Sequence, residues 1–269
     1  MNLNVVKSLL ICLISGFFLS CSSSGRNSDT LLVGVQAGPE YKLAEVAKKV
    51  AKEKFDIDVE LISFTDYVMP NEALNQKDID MNVFQTRPYL EEQAHNRGYD
   101  FEVVGNTFVY PMAGYSNKIK DVSELKEGDT IVIPNDPSNL GRALLLLQEI
   151  GLIVLDENVG LLPTRQHIKE NRLNLRIMEL EAPQLPRTLD DRQVTVAIIN
   201  NNFAANNGLI ASRDGIFSEG KNSPYVNIIV SRKDNKDDEK VQKFAKAYQS
   251  EEVEAVADQE FKGSAVKGW

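Results

Sequence analysis

Residues 31–62 read LLVGVQAGPEYKLAEVAKKVAKEKFDIDVELI, and this stretch contains the pattern that decides the fold. Leu31 to Gln36 is a β-rich run that ends at Gly38-Pro39. The apolar residues of 43–51 then recur at helical spacing, with lysine and glutamate on the other face. Ile57 to Ile62 alternates as a strand does. The stretch therefore predicts a strand, a helix and a second strand, as in a sheet that is covered by helices.

The same alternation of strands and helices continues to the end of the chain. We predict further strands over Ile79–Phe84, Phe101–Val104, Thr130–Pro134, Leu175–Leu180, Val194–Ile199 and Val226–Val230, and helices over Asn71–Gln76, Pro88–Asn96, Leu140–Ile150 and within Asp237–Phe261. The helix over 140–150 is apolar on nearly every face, so it is expected to lie inside a core. The pattern predicts an α/β protein of two lobes with a ligand cleft between them. The chain is expected to cross between the lobes twice, near residues 108–115 and 225–231.

The first 21 residues contain signals for export and lipid attachment. Ser8 to Leu19 is an apolar run too short to span a bilayer, which needs about 20 residues, and it is typical of a signal peptide. Phe18-Leu19-Ser20-Cys21 resembles a bacterial lipobox. We therefore predict a signal peptide over residues 1–20, a lipidated Cys21 and a flexible tether over residues 21–30. The alternative is an uncleaved signal anchor.

The composition excludes several classes of protein. The chain has 269 residues and a formal net charge of −9. Its two cysteines, Cys12 and Cys21, both lie near the start, which excludes a disulfide scaffold or a Cys-rich zinc site in the body. The only histidines, His95 and His167, are too few for a multi-histidine metal centre. An acidic chain without a Lys/Arg cluster is a poor nucleic-acid binder. Common nucleophile, zinc and nucleotide motifs are missing, so we predict no metal, no cofactor and no enzyme activity.

The strongest local signal is the segment PNDPSNLGR at residues 134–142. Asp136 and Pro137 are typical of the start of a helix, where unpaired N–H groups give a partial positive charge. Arg142, one turn into this helix, offers a planar fork for a carboxylate. The segment predicts either a carboxylate or phosphate receptor or an internal Arg–Asp ion pair, and its residues favour neither. Gly141 would let another group approach the helix backbone.

Aromatic and amide side chains supply a second set of candidates. Six aromatic residues lie near strand ends or connections in the first lobe or the crossing: Tyr67, Phe84, Tyr89, Phe108, Tyr110 and Tyr115. Such residues pack in a core or, at a cleft, suit an apolar or thioether side chain. A run of asparagines at 200–202, 206 and 207 predicts either a surface turn or the polar groups of a site. Asn227, inside an apolar strand, is expected to point inward and to need hydrogen-bond partners.

Several long motifs along the chain are unusual. They are DYVMPN at 66–71, VFQTRPYL at 83–90, PNDPSNLGR at 134–142, APQLPR at 182–187, SPYVN at 223–227 and GSAVKGW at 263–269. Together they resemble the NlpA/MetQ family of methionine-binding lipoproteins. The resemblance implies a periplasmic-binding-protein fold that closes on its ligand by hinge motion. It further implies capture of L- or D-methionine and its delivery to a membrane ABC importer made of a permease and an ATPase. The body would face the periplasm or the cell exterior, anchored to a bacterial membrane by its lipid.

The resemblance also implies roles for individual residues. The implied ligand-binding residues are Arg142 for the carboxylate, Asn200 and Asn227 for the amino-acid head group, and Tyr67, Phe84 and Tyr89 for the walls around the side chain. Thr86 departs from the family pattern, in which histidine typically follows Phe-Gln. Because threonine is shorter, the pocket is expected to be roomier, to hold a bridging water, or to favour a related ligand such as a methionine-containing dipeptide. We expect lobe 1 to comprise residues 31–112 and 228–269, and lobe 2 residues 113–227.

Two other classes of function stay open on the sequence alone. One is an enzyme that acts on a small carboxylate in the same cleft, although the sequence contains no recognisable nucleophile or catalytic pair. The other is a surface lipoprotein with a structural or adhesive role and a vestigial pocket, which would bind no small ligand.

Overall fold

A computed structural model describes residues 29–220 and 223–269 of the chain. The predicted signal peptide and the lipidated Cys21 lie outside the described residues. The predicted tether extends one residue too far, because Thr30 already pairs with Asp58 in a β-sheet. In the described ranges, no helix combines the length and apolar character needed to cross a membrane.

Strands and helices alternate through most of the described chain. The strands are β1 (Thr30–Gln36), β2 (Asp58–Phe64), β3 (Met81–Thr86), β4 (Phe101–Val109), β5 (Ala113–Tyr115), β6 (Thr130–Pro134), β7 (Val154–Leu155), β8 (Ile168–Glu170), β9 (Arg176–Leu180), β10 (Val196–Ile199), β11 (Gly215–Ser218), β12 (Val226–Arg232) and β13 (Val266–Lys267). The helices are α1 (Pro39–Phe55), α2 (Met69–Asn75), α3 (Arg87–Arg97), α4 (Pro137–Glu149), α5 (Asn201–Asn206), α6 (Ala211–Asp214), α7 (Glu239–Tyr248) and α8 (Glu251–Glu260). Short 3₁₀ helices cover Val122–Glu124, Arg165–His167 and Ala182–Asp190.

Six strands form the first sheet, in the order β13-β4-β12-β3-β1-β2. β1 runs parallel to both β2 and β3, whereas β12 is antiparallel to β3 and β4. Apolar clusters cover both faces of this sheet. Leu43 of α1 and Phe244 of α7 pack on one face, and Leu74 of α2 and Leu90 of α3 pack on the other. Each face therefore has its own helical cover, as the strand–helix pattern of the sequence predicted.

The second sheet has the order β11-β5-β10-β6-β9, with β6, β9 and β10 parallel. Ile131 and Ile133 of β6 join the cluster under α4, while Val132 between them joins the cluster on the opposite face. Ala143 and Leu144 of α4 have no exposed surface. The prediction that this apolar helix lies inside a core is therefore confirmed. β7 and β8 form a separate two-stranded sheet.

The chain passes between the two large sheets twice, from β4 to β5 and from β11 to β12. The predicted two-lobe α/β fold with two crossings is confirmed. Val226 and Asn227 pair with Val109 and Thr86 in the first sheet, so the predicted end of lobe 2 at residue 227 is too late. We propose that lobe 2 spans residues 113–218 and that lobe 1 resumes at Val226.

Five short strands were not predicted from the sequence: β5, β7, β8, β11 and β13. Each has only two to four residues, too few for an alternating pattern to emerge. β5, β11 and β13 extend the large sheets, as where β5 pairs with β10 on one side and β11 on the other, whereas β7 and β8 pair with each other. Their positions are therefore set by the fold and not by their own residues.

Gly141 provides the close approach that its position in α4 predicted. A Cβ atom added there would lie 2.5 Å from the carbonyl oxygen of Leu161 and 3.0 Å from the Cα of Leu162. Both are backbone atoms, which cannot swing away as a side-chain tip can. The group that packs against Gly141 is thus a loop of the same lobe.

We expect Gly141→Ala to lower the free energy of unfolding by about 1–3 kcal/mol, the usual cost of overpacking. Urea denaturation followed by circular dichroism measures this change. Gly220→Ala is the matched control, because the nearest atom to its added Cβ is a side-chain oxygen of Glu149 at 3.9 Å. Equal stabilities of the two variants would contradict the packing argument.

Candidate functional site

A cavity lies between the two lobes. It is partly open to solvent and is lined by side chains of both lobes. The residues that line it are Glu40, Tyr67, Phe84, Gln85, Thr86, Tyr89, Tyr110, Asn139, Arg142, Asn200, Asn201, Asn202 and Asn227. The structure thus brings together all seven predicted ligand-binding residues: Tyr67, Phe84, Thr86, Tyr89, Arg142, Asn200 and Asn227.

The topology explains why these distant residues meet. Glu40 lies in the first turn of α1, directly after β1, and Thr86 is the last residue of β3. In the second sheet, Arg142 lies in α4 after β6, and Asn200 follows β10. In open sheets of this kind, ligands bind outside the carboxyl ends of the parallel strands. The cavity occupies that position in both lobes at once.

Three aromatic rings form one wall of the cavity. The ring centroids of Tyr67, Phe84 and Tyr89 are 6.0 Å apart in every pair. The Tyr89 hydroxyl donates to the carbonyl oxygen of Tyr67 at 2.8 Å. Burial raises the pKa of the Tyr67 phenol well above its ordinary value, so this group stays protonated and donates to Oδ1 of Asn202 at 2.5 Å. The wall is therefore fixed by polar contacts at its edges while its faces stay apolar.

Of the other aromatic candidates, Tyr110 also lines the cavity. Phe108 belongs to the core of the first sheet, and Tyr115 belongs to a core cluster of the second sheet. For Phe108 and Tyr115 the packing interpretation is correct.

Arg142 forms a bidentate ion pair with Glu219. Its Nε donates to Oε1 of Glu219 at 2.7 Å and its Nη2 donates to Oε2 at 2.5 Å. Nη2 also donates to the carbonyl oxygen of Tyr110 at 2.9 Å, and the Tyr225 ring lies 4.6 Å from the guanidinium carbon. The two charged side chains are 4% and 7% exposed. Burial lowers the pKa of Arg142, but Glu219 more than offsets this effect and the pKa is raised.

Of the two interpretations of Arg142 that the sequence left open, the structure shows the internal ion pair, with Glu219 and not an aspartate as the partner. The receptor interpretation stays a prediction. The pair uses Nε and Nη2, so the two N–H groups of Nη1 have no hydrogen-bond partner among residues 29–220 and 223–269. Because Arg142 lines the cavity, the guanidinium retains donors for an anion there.

A relay of amides fixes the orientation of Asn200. Asp136 caps α4 and accepts two hydrogen bonds from Nδ2 of Asn139, at 2.9 and 3.0 Å. The Asn139 oxygen must then face the other way, and it accepts from Nδ2 of Asn200 at 2.7 Å. Oδ1 of Asn200 is left buried without a partner in the described structure. A buried acceptor of this kind costs free energy unless a ligand or water donates to it.

Asn227 and Thr86 face each other in the first sheet, where they pair in register. When the Asn227 amide is oriented by its contacts, its nitrogen donates to the carbonyl oxygens of Phe84 and Gln85 at 3.0 and 3.2 Å. This leaves its oxygen as an acceptor on the other side. The side chain therefore points inward and finds partners, as predicted.

A buried network supports the end of β3 that carries Phe84 and Thr86. Asn71 and Gln85 exchange two hydrogen bonds, at 2.9 and 2.8 Å. Asn82 donates to Oδ1 of Asn71 at 2.9 Å and accepts from Gln85 at 3.0 Å. Fully satisfied buried networks give a rigid arrangement. The motifs at 66–71 and 83–90 are thus connected through their amide side chains.

Sequence reasoning missed several lining residues. The surface-turn interpretation of the asparagine run is wrong for residues 200–202, which are buried, and for Asn206, which is exposed but lies in α5. It is correct for Asn207, which lies in an exposed turn. Asn139 lies in the segment 134–142, but its type and position indicate only the start of a helix. No sequence signal distinguished Glu40 from the many surface carboxylates, because its position in the cavity results from the packing of α1.

Comparisons with known proteins identify the family of this chain. Residues 31–269 match the model of the NlpA lipoprotein family. The chain belongs to the NlpA lipoprotein family. The resemblance predicted from the sequence motifs is therefore confirmed over almost all of the described structure.

Individual relatives are similar to this chain along nearly their whole length. The D-methionine-binding lipoprotein MetQ of Salmonella typhimurium is 58% identical over 249 residues, which cover 93% of this chain and 92% of the relative. A crystal structure of the methionine-binding protein MetQ has 58% identity and a TM-score of 0.88, and the match covers 90% of this chain and 98% of that one. A nutrient-binding protein from Burkholderia cenocepacia, solved bound to methionine, has 44% identity and a TM-score of 0.86, with 89% and 100% covered.

In this NlpA-family chain, we expect Glu219→Ala to lower the free energy of unfolding by about 3–5 kcal/mol, because it leaves a buried guanidinium unpaired. Chemical denaturation measures the loss. Glu179→Ala is the matched control, since its partner Arg165 is 55% exposed and surface pairs contribute about 0–1 kcal/mol. A similar small loss for both variants would show that the buried pair does not stabilise the fold.

Proposed function

We propose that this protein is a substrate-binding lipoprotein that captures methionine, in the L or D form, and delivers it to a membrane ABC importer. The observation that carries the proposal is the meeting of a guanidinium, two amide oxygens and an aromatic wall in one cavity between the lobes. An amino-acid zwitterion needs a cation for its carboxylate and acceptors for its ammonium group. The names of the related proteins agree with this chemistry.

Each part of methionine has a matching part of the cavity. The unused Nη1 of Arg142 would bind the carboxylate, since guanidinium–carboxylate hydrogen bonds are among the strong ones. The oxygens of Asn200 and Asn227 would accept from the ammonium group. The rings of Tyr67, Phe84 and Tyr89 would surround the thioether, and sulfur–aromatic contacts contribute about 0.3–1.5 kcal/mol each.

The delivery part of the proposal concerns residues outside the cavity. We infer that Cys21 carries the lipid, that the body faces the periplasm or the cell exterior, and that a permease and an ATPase receive the ligand. The role is binding and not catalysis. Membership of a lipoprotein family and the near-complete match to the binding protein MetQ support this inference.

Thr86 favours a second candidate ligand, a methionine-containing dipeptide. Its side chain lines the cavity at 8% exposure, next to Asn227. The family pattern implied by the motifs has the larger histidine at this position. A shorter residue leaves space beside the head group, where an additional glycine residue would have to fit.

For the main proposal, we expect Arg142→Ala to weaken methionine binding at least about 30-fold, since truncating one partner of a buried charge pair costs about 2–5 kcal/mol. Isothermal titration of the full-length chain in detergent, stripped of copurified ligand, measures this with L-methionine, D-methionine and glycyl-methionine. Arg165→Ala, which removes an exposed guanidinium, is the control and should bind as the unchanged protein does. No heat with any of the three ligands would refute the proposal and leave the structural or adhesive role.

For the second candidate, we expect Thr86→His to weaken glycyl-methionine about tenfold more than it weakens methionine, because the imidazole fills the extra space. The ratio of the two dissociation constants, measured by the same titration, gives the result. Thr164→His, at an exposed position, controls for an added imidazole. An unchanged ratio would mean that Thr86 does not select for ligand size.

A further inference from the structure

Glu40 is a buried carboxyl group in the cavity with no assigned role. It lies in the first turn of α1 and is 5% exposed. It lines the same cavity as Arg142 and the two asparagines. Side chains of this type are almost never fully buried unless they are paired, so the position of Glu40 requires an explanation.

No protein group compensates for the burial of Glu40. In the described ranges, neither a hydrogen bond nor an ion pair joins its side chain to another residue. Burial alone raises its pKa to about 8. The N-terminus of α1 contributes a partial positive charge, which favours an anion only weakly. The carboxyl group is therefore held in the cavity without the cation that would stabilise its ionised form.

Glu40 is also separate from the guanidinium of the site. Arg142 pairs with Glu219 instead, and donates to both oxygens of that carboxylate. Tyr67 lies close enough to Glu40 and Arg142 for both groups to affect the pKa of its phenol. Burial raises the Tyr67 pKa most, Glu40 adds to the rise and Arg142 opposes it. The cavity thus has a cation at one point and an unpaired acid at another, with the Tyr67 phenol near both.

A cation and an acid in one cavity suit the two ends of an amino acid. A carboxylate bound to Nη1 of Arg142 would leave the α-ammonium group of the same ligand free to point away. The Asn200 and Asn227 oxygens are neutral acceptors and do not balance a full positive charge. A carboxylate would, because it carries the opposite charge.

We propose that Glu40 is the counter-charge for the α-ammonium group of the ligand, so that the cavity selects amino-acid zwitterions over simple carboxylates. This inference rests on the proposed function, since it names the group that recognises one end of the same ligand. It assigns to Glu40 direct contact with the ligand, beyond the residues that the family motifs imply.

A comparison of two ligands and two proteins tests this assignment. The ligands are methionine, as the enantiomer that the unchanged protein binds more tightly, and 4-(methylthio)butanoate, which keeps the carboxylate and thioether but lacks the ammonium group. The proteins are the unchanged full-length chain and Glu40→Gln, both in detergent. We expect Glu40→Gln to weaken methionine about 10- to 100-fold, the range for a hydrogen bond between charged groups, and to leave 4-(methylthio)butanoate nearly unchanged.

Three results separate the possible outcomes. If the unchanged protein binds no methionine, the proposed function fails and the inference falls with it. If it binds methionine but Glu40→Gln weakens both ligands equally, or neither, only the inference fails and Glu40 is a structural residue of α1. A loss confined to the ligand with an ammonium group supports the inference.

Control variants keep the test independent of folding. Glu45→Gln removes an exposed carboxylate from the same helix and should leave both dissociation constants unchanged. Glu40→Asp keeps the charge with a shorter reach, and should recover part of the methionine affinity that Glu40→Gln loses. If Glu40→Asp binds methionine no better than Glu40→Gln, charge is not the property that matters and the inference is overturned.

Discussion

The arrangement of the site depends on the buried ion pair between Arg142 and Glu219. Arg142 belongs to α4 in the second lobe, Glu219 follows β11 at the second crossing, and Tyr110, whose carbonyl accepts from Nη2, lies at the first crossing. One guanidinium therefore ties a helix of lobe 2 to both connections between the lobes. Burial of the two charges is costly, and the bidentate geometry with an additional carbonyl acceptor offsets that cost. The same geometry leaves the N–H groups of Nη1 without a partner among residues 29–220 and 223–269.

Around this pair, each lobe orients its polar groups through buried amides. In lobe 2 the relay from Asp136 through Asn139 fixes Asn200, and in lobe 1 the Asn71–Gln85 exchange supports the end of β3. The lobes also touch directly. Asn206 of α5 in lobe 2 donates to the carbonyl oxygen of Ala37 in lobe 1 at 3.0 Å. The hydroxyl of Tyr67 in lobe 1 donates to Oδ1 of Asn202 in lobe 2. The site is complete only where the two lobes meet, as expected of a protein that closes on its ligand.

The charge distribution of the cavity differs from that of the chain. The chain has a net charge of −9, yet the cavity holds one guanidinium that is already balanced by Glu219 and one carboxyl group that is not balanced. In the proposed mode of binding, Arg142 and Glu40 would contact opposite ends of an amino acid, which would fix its orientation as well as its affinity. The aromatic wall would then select among side chains by shape and polarizability.

The sequence by itself determined the elements and most of the site. Period-two and helical patterns located the longer strands and helices, and the motifs around Tyr67, Phe84, Arg142 and Asn227 identified the family and the lining residues. These signals are local, so a single stretch of chain contains them. Only the tertiary structure decided that Glu219, 77 residues from Arg142, is its partner, and that Glu40 is buried in the cavity. Such pairings depend on how the two crossings place the lobes, and no periodicity in the sequence records a contact between residues that far apart.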